Sequence, residues 1–216
     1  HPEFTQPPEL ALPFSLVEIQ AGNQLKTPLF LVHPAGGHVY IYRDLARQLG
    51  PEQPVYGLQA AALDGETEHA TQIEDRATHF IEVLRVRQPD GPYFLGGSSF
   101  GGMVAFEMAQ QLSMQDQKVA LLVMIDTPSP GVPTDISVDE VENDVNILAF
   151  LVGMDANISA PLDQIRQMNP DEQIEYFLEY GKRTHKLVPD TSPEQLYHFL
   201  HLFKTDIQAQ WGYAPQ

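Results

Sequence analysis

The sequence predicts an α/β fold: a mostly parallel sheet flanked by helices, with a helical block added after one of its strands. Three observations carry this. Short, wholly apolar runs, Leu29-Phe30-Leu31-Val32 and the stretch from Val119 to Ile125, read as strands covered on both faces. Strand, glycine-rich loop and helical pattern follow one another twice, which implies parallel strands joined by helical crossovers. After Asp126 the strands stop and only helical patterns follow.

His1-Pro2-Glu3-Phe4 reads as a tag remnant, and residues 1–13 as a flexible terminus. Phe14 to Ile19 alternates and predicts an edge strand, and Gly22-Asn23-Gln24 marks a turn. After the run at 29–32, Tyr40, Leu45 and Leu49 predict the stripe of a helix that stops at Gly50-Pro51. Val55 to Ala60 is a further strand, and Ala61 to Ala70 a loop. Thr71 and Glu74 have the spacing of a capping box, for a helix with the stripe Ile73, Ala77, Phe80, Ile81 and Leu84. It ends at the breaker Gln88-Pro89-Asp90-Gly91-Pro92. A strand from Tyr93 to Leu95, a glycine corner and a helix through Met103 to Leu112 come next. The buried strand from Val119 to Ile125 follows.

The rigid loop Pro128 to Pro133 opens onto three helices with start signals: Ser137 with Glu140, Asn169 with Pro170 and Glu172, and Ser192 with Pro193 and Gln195. The first carries the stripe Val145, Ile147, Leu148, Phe150 and Leu151. The expected organisation is a core over 14–131, a helical lid over 132–190, and a helix returning to the core over 191–216. A lid there stands over the strand ends, where ligands bind in open α/β sheets.

The chemistry gathers at Gly97-Ser98-Ser99-Phe100-Gly101, which fits G-x-S-x-G between an apolar strand and a helix. A serine nucleophile needs a tight, strained turn that aims its hydroxyl outward. Glycines two residues before and after let strand and helix pass closely, where a Cβ would clash. Only Ser99 has glycine at both places, so Ser99 and not Ser98 is the candidate nucleophile. His33-Pro34-Ala35-Gly36-Gly37 fits either an oxyanion loop, whose small residues admit a substrate carbonyl to a backbone N–H, or an ordinary strand-to-helix turn.

Composition narrows the classes. A net charge of −17 over 216 residues leaves no basic stripe for nucleic acid. No cysteine is present, which excludes disulfides, thiolate metal sites and a thiol nucleophile. No run of about 18 apolar residues predicts a membrane span.

Three blocks resemble thioesterase domains of polyketide synthases and nonribosomal peptide synthetases: Leu31 to Gly37, Gln88 to Ala109, and Leu122 to Thr127. The resemblance covers roughly residues 28 to 130 and implies an α/β-hydrolase fold. It implies release of an acyl or peptidyl chain from the phosphopantetheine arm of a carrier protein, by hydrolysis or macrocyclisation, with no permanently bound cofactor and no metal. By it, Ser99 is the acylated nucleophile, Asp126 orients the base, and the N–H groups of Phe100 and Ala35 form the oxyanion hole. Without it, Asp126 reads as a strand-end cap.

The family's histidine base follows a later strand, so it is expected beyond Gln216, and the chain is expected to lack the last strands and final helix of the fold. His33 has an expected structural role, and His185, His198 and His201 read as surface or packing residues on lid helices. The expected partner is an acyl or peptidyl carrier protein, with no nucleic acid or membrane, a cytoplasmic location, and a homodimer allowed. Two alternatives stand beside this reading: a catalytically incomplete module that only docks a carrier, and a general esterase with the same elbow.

Overall fold

Five runs with strand character become the five strands of one sheet: β1 Leu16–Gln20, β2 Leu29–Val32, β3 Val55–Leu58, β4 Tyr93–Ser98 and β5 Val119–Ile125. Their order is β1-β3-β2-β4-β5, with β1 antiparallel to β3 and every other pair parallel. The computed structural model describes residues 12–64, 72–129, 143–154 and 159–215. It falls into two units, His1–Pro34 with His38–Thr127, and Ala35–Gly37 with Pro128–Gln216.

In the first unit the helices are α1 Arg43–Gln48, α2 Ile73–Arg87 and α3 Phe100–Met114, with 3₁₀ turns at Tyr40–Tyr42 and Ala61–Asp64. Leu29 and Leu31 pack with Tyr42 and Ala46 on one face of the sheet. Side chains alternate along a strand, so Phe30 and Val32 point to the other face. The predicted stripe of α2 holds: Ile73, Ala77, Phe80, Ile81 and Leu84 are all buried. Gln111 ties α2 to α3, taking the Thr78 hydroxyl at 2.9 Å and giving its amide to the Glu74 carbonyl at 3.0 Å.

Several expectations are corrected here. The stripe Tyr40, Leu45, Leu49 does not form: Tyr40 and Leu49 are exposed, while Tyr42 and Ala46 are buried. The segment opens as a 3₁₀ turn, with three residues per turn, so the buried face falls out of phase with a pure α-helix. Helix α2 starts after Gln72, without a side-chain cap, and Thr71 lies outside the described residues. Among the described residues strand β5 is not covered on both faces. It is last in the sheet order, and Leu121, Met124 and Ile125 are 36–40% exposed.

The second unit holds α4 Asp144–Leu151, α5 Ser159–Ile165, α6 Pro170–Arg183 and α7 Pro193–Gly212. Leu148, Ile165, Ile174, Phe177 and Leu196 share one apolar core there. Both predicted capping boxes are made in full. Asn169 accepts from the Glu172 N–H at 3.0 Å, and Glu172 reaches back to the Asn169 N–H at 3.0 Å. Ser192 and Gln195 repeat the pattern at 2.9 and 3.3 Å. The first lid helix differs. Its cap is Asn143, accepting from Val145 N–H at 3.1 Å, while Ser137 and Glu140 lie outside the described residues. Phe150, expected in its stripe, is 74% exposed. Helix α5 is not among the three helices expected from start signals.

Candidate active site

The corner after β4 is one residue long. β4 ends at Ser98 and α3 begins at Phe100, so Ser99 alone makes the turn, at φ 52° and ψ −122°. Such a backbone costs a non-glycine residue about 1–3 kcal/mol and persists only where its surroundings impose it. They do so here. The Ser99 N–H donates to the Ile125 carbonyl at 2.9 Å, and the Gly102 N–H donates to the Ser99 carbonyl at 3.1 Å. A Cβ on Gly97 would stand 2.2 Å from the Gly101 carbonyl carbon, and one on Gly101 would stand 2.3 Å from the Val32 carbonyl oxygen. The glycine spacing is therefore a packing requirement of strand on helix. Ser99 itself is half-buried.

Parallel pairing of β4 with β5 sets Ser98 opposite Ile125, so Ser99 and Asp126 are the first residues past two neighbouring strands. Strands in a sheet lie about 4.8 Å apart. Asp126 is exposed and also has a positive φ, 47°. Aspartate enters that region more readily than most residues. Phe100 opens α3, and first-turn N–H groups have no acceptor within their own helix. They sit at the positive end of the helix dipole, beside the serine. Ser99, Phe100 and Asp126 thus lie at the same end of the sheet, past two neighbouring strands.

Under the corner lies an aromatic platform. The Phe100 ring is fully buried, stacks on His33 at 5.7 Å between centroids, and has the Arg76 guanidinium 5.3 Å from its centre. His33 is fully buried too, with Phe80 edge-on, and its Nδ1–H donates to the Pro34 carbonyl at 2.8 Å. Burial lowers its pKa from 6.5 to about 3, against the opposing pull of the Pro34 hydrogen bond and with help from the Arg76 and His38 charges. His33 is a neutral packing residue.

Ala35 belongs to the second unit, with Gly36 and Gly37 at φ +98° and +90°. There the Gly36 N–H donates to Asp206 Oδ2 at 2.9 Å, and Asp206 is fully buried on α7. A Cβ on Gly36 would meet the Phe199 ring at 2.2 Å. His198 and His201 ride on α7, half-buried and exposed respectively. His185 is not on a helix: it is exposed just past α6, at φ 58°.

Tyr42, two residues from the expected Tyr40, lies outside every motif in the sequence. Tyr42 is 2% exposed, donates to the Val32 carbonyl at 2.5 Å and accepts from the Ser98 N–H at 2.9 Å. Burial raises its pKa to about 12, opposed by the Ser98 hydrogen bond. A tyrosine after a glycine loop carries no local signal of this; only the strand register shows it.

Residues 27–173 match the thioesterase domain family. The chain is 42% identical over 127 residues to malpibaldin synthetase of Mortierella alpina, covering 58% of this chain and 2% of that protein. It is 41% identical over 126 residues to a dimodular nonribosomal peptide synthase of Bacillus subtilis (strain 168), covering 58% of this chain and 5% of that protein. The chain therefore spans a small part of the length of these curated relatives. Among solved structures it is similar to holo-AB3403, a four-domain nonribosomal peptide synthetase bound to AMP and glycine. That likeness has a TM-score of 0.78 and 30% identity over 95% of this chain and 16% of the other. A covalent complex of the NocB thioesterase domain with a fluorophosphonate nocardicin G analogue gives 0.55 and 27%, over 88% of this chain and 68% of that one. Neighbours of this kind give the fold its type, that of the α/β-hydrolases.

Proposed function

The chain belongs to the thioesterase domain family, and from that premise we propose that it releases an acyl or peptidyl chain from a carrier-bound phosphopantetheine thioester through a Ser99 acyl-enzyme. The observation that supports this best is the one-residue corner at φ 52°, where Ser99 stands beside Asp126 and the first N–H groups of α3. In this reading a base takes the Ser99 proton, and Oγ attacks the thioester carbonyl. The tetrahedral oxyanion rests on the N–H groups of Phe100 and, as the second donor, Ala35; one such donor is worth about 3–4 kcal/mol. The C–S bond then breaks, and the thiol leaves with the proton the base carried. Water or a nucleophile within the bound chain attacks the ester, giving hydrolysis or macrocyclisation.

Asp126 orients the base and stabilises its charged form. The base is proposed to come from sequence beyond Gln216, where the family pattern has it. His33 is unsuited: its ring is enclosed by Phe80 and Phe100, and a pKa of about 3 makes it a poor proton acceptor. The carrier domain is the proposed partner, and the helices of the second unit the proposed lid.

The test uses this chain and one extended past Gln216, each with Ser99→Ala as control. Intact-protein mass after treatment with an alkyl fluorophosphonate is expected to show one adduct in the extended chain and none in its Ser99→Ala form. Hydrolysis of an acyl-pantetheine thioester is expected to need the extension. Equal turnover by both chains places the base before Gln216; labelling that survives Ser99→Ala removes Ser99 from the mechanism.

A further inference from the structure

Tyr42 stands in the rung between β2 and β4 where their pairing ends. Val32 lies opposite Gly97, and the Leu29, Leu31 and His33 side of β2 belongs to β3: the N–H groups of Leu29 and His33 donate to Pro54 and Leu58. Val32 therefore faces β4. A parallel ladder pairs a carbonyl with the N–H one residue past its opposite number, which here joins the Val32 carbonyl to the Ser98 N–H. The Tyr42 hydroxyl engages both groups, donating to Val32 at 2.5 Å and accepting from Ser98 at 2.9 Å. Ser98 is the residue before the proposed nucleophile, and Val32 is also the residue whose carbonyl crowds Gly101.

We propose that Tyr42 is a positioning residue for acylation: its hydroxyl holds the Ser98 N–H and the end of β2 at the spacing that fixes the Ser99 corner. This rests on the reading of Ser99 as nucleophile. The hydroxyl must act as donor and acceptor at once, and only the neutral phenol does both. Burial keeps it neutral, with its pKa pushed up to about 12. The ring packs in a separate cluster with Leu29, Leu31 and Ala46, so removing the oxygen alone leaves that packing in place.

The experiment compares Tyr42→Phe with the wild type in two readings. Amide hydrogen exchange, followed on this chain, is expected to speed about tenfold or more at Ser98, Ser99 and Phe100, as befits a rung that loses the buried hydroxyl shared by its donor and its acceptor. Peptides from β1 and β3 are expected to exchange as before. Turnover, measured on the chain extended past Gln216 with an acyl-pantetheine thioester, is expected to fall by about 10–100-fold in kcat, with KM changed less than about twofold, the signature of displaced reacting groups.

If exchange quickens while kcat holds, Tyr42 is a structural residue and the proposal is overturned. Unchanged exchange at Ser98 overturns it as well. Turnover that survives Ser99→Ala removes the nucleophile reading itself, which separates the two failures. Should the phenylalanine chain not fold by circular dichroism, 4-aminophenylalanine at position 42 keeps a donor in place, and the same two readings decide.

Discussion

Two corners leave this sheet side by side, and they handle backbone strain in opposite ways. After β2 the chain wanders through His33 to Val39 and places its left-handed angles on Gly36 and Gly37, which carry them at no steric cost. After β4 it turns at a single residue, and the unfavourable angle falls on Ser99, a residue with a Cβ. A glycine there would be cheaper to fold but would have no hydroxyl. Strain kept where a cheaper residue exists points to use of the side chain, whereas strain assigned to glycine points only to the path of the chain.

The comparison breaks most sharply at Gly101, where the two corners touch. Gly101→Ala puts a methyl 2.3 Å from the Val32 carbonyl oxygen and 2.4 Å from that of His33, both backbone atoms with little room to move. A loss of more than about 3 kcal/mol in urea unfolding is expected, the size of severe overpacking. A loss under about 1 kcal/mol would mean that the corners do not press on each other.

His33, at the start of the wider corner, tests the burial beneath it. Its folded pKa of about 3 lies below the ordinary 6.5, so between those values the unfolded chain binds a proton that the folded chain refuses. Stability is complete above about pH 6.5 and falls as pH drops toward 3. Between pH 7 and pH 5 the wild type is expected to lose about 2 kcal/mol more than His33→Gln, read from unfolding midpoints at each pH. Parallel slopes for the two proteins would contradict the assignment.

Ser99→Gly gives the smallest effect and the opposite sign. Relief of the strained φ is expected to raise stability by about 1 kcal/mol, net of the entropy glycine brings to the unfolded chain. The same change, made in the chain extended past Gln216, is expected to abolish the fluorophosphonate adduct. A destabilised glycine variant would mean the corner is relaxed as it stands.

The signals legible in the sequence were ones complete within a few residues. The boxes at Asn169 and Ser192 each contain donor, acceptor and spacing, and G-x-S-x-G shows the strand-to-helix corner by its glycines, although the Ile125 carbonyl helps to hold it. Signals that depend on neighbours were not. The run from Val119 to Ile125 is as apolar as a central strand, and among the described residues β4 is its strand neighbour. An α-helical period points to Tyr40 where the structure buries Tyr42, because the 3₁₀ start shifts the phase. The bridge from Tyr42 to Val32 and Ser98 spans 56 residues of sequence at its longer arm, and no pattern in the chain announces it.

The box at Asn169 has a further consequence for a growing polypeptide. Its reciprocal bonds close within four residues, from Asn169 to Glu172, so the costly first turn of α6 is stabilised as soon as that short piece has left the ribosome. The sheet has no such early start. β4 lies between β2 and β5, so its last edge is paired only after residue 125 has emerged. During synthesis the helical half carries its own starting points, while the Ser99 corner waits for the strand that carries Ile125 to arrive beside it.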